Sequence, residues 1–190
     1  MPCWKKLRTL LSAFSVAVLV GAPLSVYAEG PGLQIKKAEL IALEDSYALQ
    51  ADFDVDLNKA LEEALDKGVG LNFLVDLEVT RPRWYWFDET IVSVRQHVRI
   101  SYHALTRQYH FSSNNRNLSF NTLADAKDEL KHIADWKVFE RSVVKKGSAY
   151  HAALRMKLDI KQLPKPLQVE ALGNKEWDLV SEWFRFTFTP

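Results

Sequence analysis

The stretch that decides the fold is LNFLVDLEVTRPRWYWFDETIVSVRQHVRISYHALTRQYHF, residues 71–111. Apolar and polar residues alternate through three consecutive segments of it, the period of a half-buried strand. Leu71, Phe73, Val75, Leu77 and Val79 share a face, as do Val92, Val94, Val98, Ile100 and Tyr102, and then Tyr109 and Phe111. A reversal at Phe87 and Asp88 sets Val75 against Ile100 and Leu77 against Val98, with Asp76 meeting Arg99 and Thr80 meeting Arg95 on the other face. A second reversal at Ala104 to Arg107 sets Tyr102 against Tyr109, Ile100 against Phe111 and Ser101 against His110. The result is an antiparallel meander in which a one-residue slip would turn a whole apolar set outward.

Two further strands precede it. Leu33, Ile35, Glu39, Ile41 and Leu43 form one alternating series, and Tyr47, Leu49, Ala51, Phe53, Val55 and Leu57 another. The Glu44-Asp45-Ser46 turn joins them, pairing Leu43 with Tyr47, Ile41 with Leu49 and Ile35 with Val55. A short helix is predicted over 58–67, with Leu61, Ala64 and Leu65 on one face and Gly68 as a left-handed stop.

Asn114 to Asn117 reads as a loop. Thr122 is the expected N-cap of a second helix whose Leu123, Ala126, Leu130 and Ile133 repeat at helical spacing. Strict alternation from Tyr150 to Ile160 gives another strand, and Leu163-Pro164-Lys165-Pro166-Leu167 must leave the ladder because proline cannot donate to it. A last strand over 179–189 carries Phe184, Phe186 and Phe188 on one face. The expectation is a sandwich-like α+β domain, mainly antiparallel, with about seven strands and two short helices.

Residues 1–28 stand apart from this domain. Lys5, Lys6 and Arg8 precede an apolar run from Leu10 to Val20, and Val26-Tyr27-Ala28 offers small residues where a signal peptidase cuts. Eleven apolar residues fall short of the roughly 20 that span a bilayer, so the expected product is a periplasmic domain, 29–190, without an integral span; the alternative is an uncleaved membrane anchor. Cys3 is the one cysteine and lies ahead of the apolar run, which leaves the exported part free of disulfides and thiolate chemistry. The signal takes three of the 25 basic residues with it, so 22 face 24 acidic ones. That balance argues against a nucleic-acid partner.

Several ordered strings resemble a secreted proteobacterial family known as domain of unknown function 4390. They are Arg83-Trp84-Tyr85-Trp86-Phe87-Asp88; Tyr102-His103-Ala104-Leu105-Thr106 with Tyr109; Leu158-Asp159 followed by Leu163-Pro164-Lys165-Pro166-Leu167; and Trp177-Asp178-Leu179-Val180-Ser181-Glu182-Trp183. The resemblance implies a secreted protein and no known activity, and it suggests a sensor kinase of the nitrogen-regulation type as partner. It carries over no site residue.

Chemistry is sparse in the residues themselves. Asp52, Asp54, Asp56 and Glu63 imitate the acids of a calcium loop, but Leu57 stands where its glycine is needed. His97, His103 and His110 share the polar face of the meander, and His103 with His110 could hold a metal such as zinc, although the meander places no carboxylate as third ligand. Ser101 beside His110 is the one nucleophile and base pair, yet mid-strand serine lacks an exposed elbow. No glycine-rich phosphate loop is present, and no cofactor is expected.

The segment from Arg81 to Asp88 asks for more than folding. Four aromatics in a row cannot face one core, because Trp84 and Trp86 would point one way and Tyr85 and Phe87 the other. Either a sandwich buries both sets or they form a recognition surface in which Arg83, Trp84, Trp86 and Asp88 meet a partner, the residue types that dominate interface energetics. A non-enzymatic envelope module that binds a protein is therefore the leading expectation. The alternative is a metal-binding or hydrolytic enzyme built on the His97, His103 and His110 face. Mass spectrometry of the protein from an osmotic-shock fraction is expected to find a chain that begins at Glu29, and a full-length product retained in the membrane would refute cleavage.

Overall fold

The computed structural model describes residues 32–85, 87–114 and 116–190. The signal sequence expected over 1–28, Trp86 and Asn115 lie outside the described residues. Among the described residues, nine strands follow one another with three short α-helices between them. They are β1 (Leu33–Ala42), β2 (Ser46–Val55), α1 (Lys59–Asp66), β3 (Leu71–Arg81), β4 (Glu89–His103), β5 (Gln108–Ser113), β6 (Arg116–Phe120), α2 (Leu123–Leu130), β7 (His132–Glu140), β8 (Tyr150–Leu158), α3 (Lys165–Ala171) and β9 (Phe184–Phe188). One sheet has the order β1-β2-β7 and the other β6-β5-β4-β3-β8-β9, every pairing antiparallel. Buried side chains from both sheets and from α1 and α2 belong to one apolar core.

The central strand β3 shows why. Leu71, Phe73, Val75, Leu77 and Val79 are all fully buried on its inner face, and β4 and β8 occupy its two edges. The helices close the ends of this core as their patterns predict. Asn58 caps α1 through its side chain, which accepts from the Leu61 N–H at 3.0 Å. Gly68 ends the helix at φ +86°, a conformation that favours glycine. Thr122 caps α2 by accepting from the Asp125 N–H at 3.2 Å. Tyr109 on β5 donates to Asp66 at the end of α1 at 2.9 Å. Burial first, and then that carboxylate, push the phenol up to about 12, so it remains a donor.

A chain of rings ties the two sheets together. Tyr47 stacks on Phe139 at 5.3 Å and meets Phe188 at 5.8 Å, and Phe188 stacks on Tyr150 at 5.5 Å. These rings come from β2, β7, β9 and β8. The inward series Phe184, Phe186 and Phe188 expected of the last strand is the half-buried face that β9 turns to the core.

Three registers and counts differ from the sequence expectation. β3 and β4 pair four residues away from the expected register, with Phe73 opposite Val98 and Asp76 opposite Arg95, and five away after an irregularity at Val79 and Thr80, which sets Arg81 opposite Glu89. A slide of four preserves both faces, so alternation could not choose between them; Pro82 could, since the expected register would have placed it inside the ladder. In the first hairpin Tyr47 pairs with Ala42 and Leu49 with Leu40, one residue off, which leaves Ile41 40% exposed. An irregularity between Ile35 and Lys37 then restores the inward parity, so that Leu33 is buried opposite Val55.

Two strands and a helix were not anticipated. The Asn114 to Asn117 segment turns into β6, whose Leu118 pairs with Phe111. Ile133 does not continue α2 but opens β7, where Ile133, Trp136 and Val138 are buried. The irregular ladder between Leu49 and Ala51, with Asp135 at φ +57°, breaks the alternation that would have marked this strand. The Leu163 to Leu167 segment does leave the ladder, and α3 starts just after Pro164. The second hairpin of the meander is as expected, with Tyr102 opposite Tyr109 and Ser101 opposite His110.

Val98 is 2% exposed and Leu130 1%, and both belong to the apolar core. Val98→Asp or Leu130→Asp is expected to abolish the cooperative thermal transition, because an unpaired buried charge costs several kcal/mol against a net stability of about 5–15. A melting curve indistinguishable from that of the unmodified protein would refute this core.

Candidate functional site

The β3–β4 connection begins at Pro82, whose missing N–H ends the ladder, and runs to Asp88. Because these residues form a turn and not a strand, their side chains do not alternate between two sheet faces. Trp84 is 95% exposed, Tyr85 64% and Phe87 84%. Burial of both aromatic sets in a sandwich is thus ruled out for these three rings. Trp84 and Tyr85 meet edge to face at 5.3 Å.

The base of this tip is ionic. Glu89 takes hydrogen bonds from both Arg81, its cross-strand partner, and Arg83, at 2.5 Å in the second case. Arg83 and then Arg81 hold the Glu89 carboxyl below its ordinary range. Asp88 reaches the other way, to His151 Nδ1 on β8 at 3.7 Å. Arg83 and Asp88 therefore fix the tip to the sheet, and Trp84 is presented beyond them. Beside them a shallow cleft of about 570 Å³ opens on the sheet, lined by Glu78, Thr80, Asp88, His151, Trp183 and Arg185 among others.

Further along the outer face lies a cluster that sequence reasoning saw only in part. Asp76, 6% exposed, is held by Arg95 from β4 and by Arg155 and Lys157 from β8, at 3.3 and 3.4 Å for the last two. The Trp183 ring lies 4.3 Å from the Arg155 guanidinium. Burial works to raise the Asp76 pKa, but the Arg95 hydrogen bond, the Lys157 charge and the Arg155 hydrogen bond outweigh it and hold the carboxyl below its ordinary range. An acid inside an apolar run, with arginines at alternate positions on other strands, was the available signal.

The histidine face is only partly assembled. His103 and His110 meet edge to face at 5.8 Å, and His110 Nδ1 lies 3.1 Å from the Ser119 hydroxyl. His97 is on β4, opposite Leu74. Among the described residues, no three of His, Cys, Asp and Glu gather in a way that could hold a metal ion. Ser101 is opposite His110 as expected, while His110 is engaged with Ser119. Two of the false calcium acids are paired across β1, β2 and β7, Asp54 at 2.7 Å from Lys36 and Asp52 at 2.8 Å from His132.

Asp76→Ala is expected to lower stability by about 2 kcal/mol near neutral pH, less than the 3–5 of a fully buried pair because the cations stay partly in water. The lowered pKa sets the sign. Asp76 contributes above its unfolded value of about 3.9 and loses that contribution as pH falls through the lower folded value. Denaturant titrations should thus show the gap between the two proteins closing below about pH 4, and a gap that persists at pH 2 would refute the assignment.

No curated protein matches this chain, and no solved structure does. Residues 30–187 match a family described as "Domain of unknown function (DUF4390)". That match covers nearly the whole chain, and the protein therefore belongs to the DUF4390 family.

Proposed function

We propose that this is an exported protein of the cell envelope that acts by binding a protein partner, and that the β3–β4 tip is the place where it binds. The observation that carries the reading is Trp84, 95% exposed beside two further exposed rings, at the end of a hairpin whose base is clamped by Arg81, Arg83 and Glu89. A large aromatic ring withdraws on the order of 150–250 Å² from water when it is covered, at about 25 cal/mol per Å². The clamp removes part of the ordering cost that otherwise offsets this gain. Arg83, Trp84, Trp86 and Asp88 make up the proposed surface, with Arg83 and Asp88 serving also as its supports.

Export rests on the charged, apolar and small-residue regions of residues 1–28. Among the described residues no helix is long and apolar enough to cross a membrane. The family resemblance makes the periplasmic part of a sensor kinase the first partner to try. Nothing in the outer-face chemistry favours catalysis over binding, since the histidines and Ser101 lack a third group at hand.

Trp84→Ala is expected to change stability by no more than about 0.5 kcal/mol, as at ordinary surface sites. The same change should weaken crosslinking to the periplasmic part of the kinase by about 2 kcal/mol, the scale of an interface hot spot. A stability loss of about 3–5 kcal/mol would mark the ring as core. Undiminished crosslinking, or a blue shift of Trp84 fluorescence on lipid vesicles alone, would overturn the protein-binding reading.

A further inference from the structure

The outer face of the six-stranded sheet concentrates positive charge that the chain as a whole does not have. From the Asn72 row to the Glu78 row, its outward positions carry Arg95 and Arg99 on β4, Arg155 and Lys157 on β8, and Arg185 on β9. Asp76 and Glu78 are the acids at these paired positions, and Asp159, whose N–H donates to the Asn72 carbonyl, adds a third where β8 ends. Five cations thus face three carboxylates in a protein whose totals are 25 and 24.

These cations are arranged and not merely scattered. Asp76 holds Arg95, Arg155 and Lys157 upright around one buried carboxylate. Trp183 covers the Arg155 guanidinium, whose Nε is buried without a hydrogen-bond partner among the described residues. The Arg99 guanidinium lies so close to Gly70 that a Cβ there would meet it at 2.7 Å. Arg95, His97, Arg99 and Arg185 remain exposed.

We infer that this face is a second binding surface, independent of the aromatic tip, and that it takes an extended acidic segment of a partner protein. Side chains on one face of a strand recur every second residue, about 6.7 Å apart. Arg95 and Arg99 lie two such intervals apart along β4 with His97 between them, and Arg155 and Lys157 lie one interval apart along β8. An extended chain with acids at alternate positions has the same repeat, so its carboxylates meet successive cations in step. Charges spread over a flat sheet suit such a segment better than they suit a single phosphate, which needs donors converging on one point.

The test uses the exported domain and a fluorescent twelve-residue peptide with Glu at alternate positions and Thr between. At low salt the alternating peptide is expected to bind about fivefold more tightly than a peptide of the same composition with its acids in one block. Arg99→Ser with Arg185→Ser, two exposed side chains outside the Asp76 cluster, should weaken it by about tenfold. Trp84→Ala should leave this affinity unchanged, which separates the face from the tip. Equal affinity for the two peptides, an undiminished double variant, or binding to vesicles of anionic lipid with the peptide ignored would each overturn the inference.

Discussion

The structure depends on one requirement, that the strand β3 be satisfied on both faces and both edges at once. Its inner face buries five apolar side chains completely, each worth about 1.5–3 kcal/mol of transfer free energy. That sum is comparable to the whole net stability of an ordinary domain, so the inner parity of β3 admits no compromise. The outer face then inherits the even-numbered residues, among them Asp76, which is nearly as buried as the core. A carboxylate in that position needs cations from the neighbouring strands, and Arg95 and Arg155 are the residues that the actual register places directly opposite it. Packing on one side and charge pairing on the other therefore select the same register.

This coupling explains which parts of the fold were legible. Alternation fixes parity but not translation, and a slide of four residues left every inner residue inward and still gave Asp76 an arginine. Pro82 held the missing information, because it forces the ladder to end before the aromatic segment. With the ladder ending at Arg81 and Glu89, the aromatics form a tip and not the continuation of two strands. Where the chain departs from strict alternation, parity itself misleads. The irregularity at Lys36 and the left-handed Asp135 each shift a strand by one residue relative to its partner, hiding the true inner face of β1 and the existence of β7.

The candidate site was legible in kind and not in arrangement. Arg83, Trp84 and Asp88 stand out by composition, and the second hairpin brought Ser101 to His110 and His103 to the same neighbourhood, as expected. What sequence could not supply was the division of roles within the tip. Arg83 and Asp88 bind Glu89 and His151, so the charged residues act as supports while the rings are displayed. The three-strand gathering around Asp76 was equally out of reach, since it depends on β8 lying beside β3, a neighbour some 80 positions away in the chain, as the Asp76 to Arg155 separation of 79 residues shows.

A tip of exposed rings is tolerable in this fold because of where the load is carried. Among the described residues, none of the apolar core comes from the segment 82–88, and the neck is closed by charge pairs whose side chains are about one-third exposed. Partly exposed pairs contribute little to global stability, but two guanidiniums on one carboxylate restrict the directions in which the loop can leave the sheet. The tip is thereby decoupled from the folding core in energy while remaining coupled to it in orientation. The cationic face has the opposite relation. Arg95, Arg155 and Lys157 are bound to Asp76 at the centre of the sheet, so a ligand that drew them away would disturb the central strand itself. A ligand therefore meets Arg95, Arg155 and Lys157 where Asp76 holds them, and Arg99 and Arg185, the cations outside that cluster, are the ones that can turn toward it.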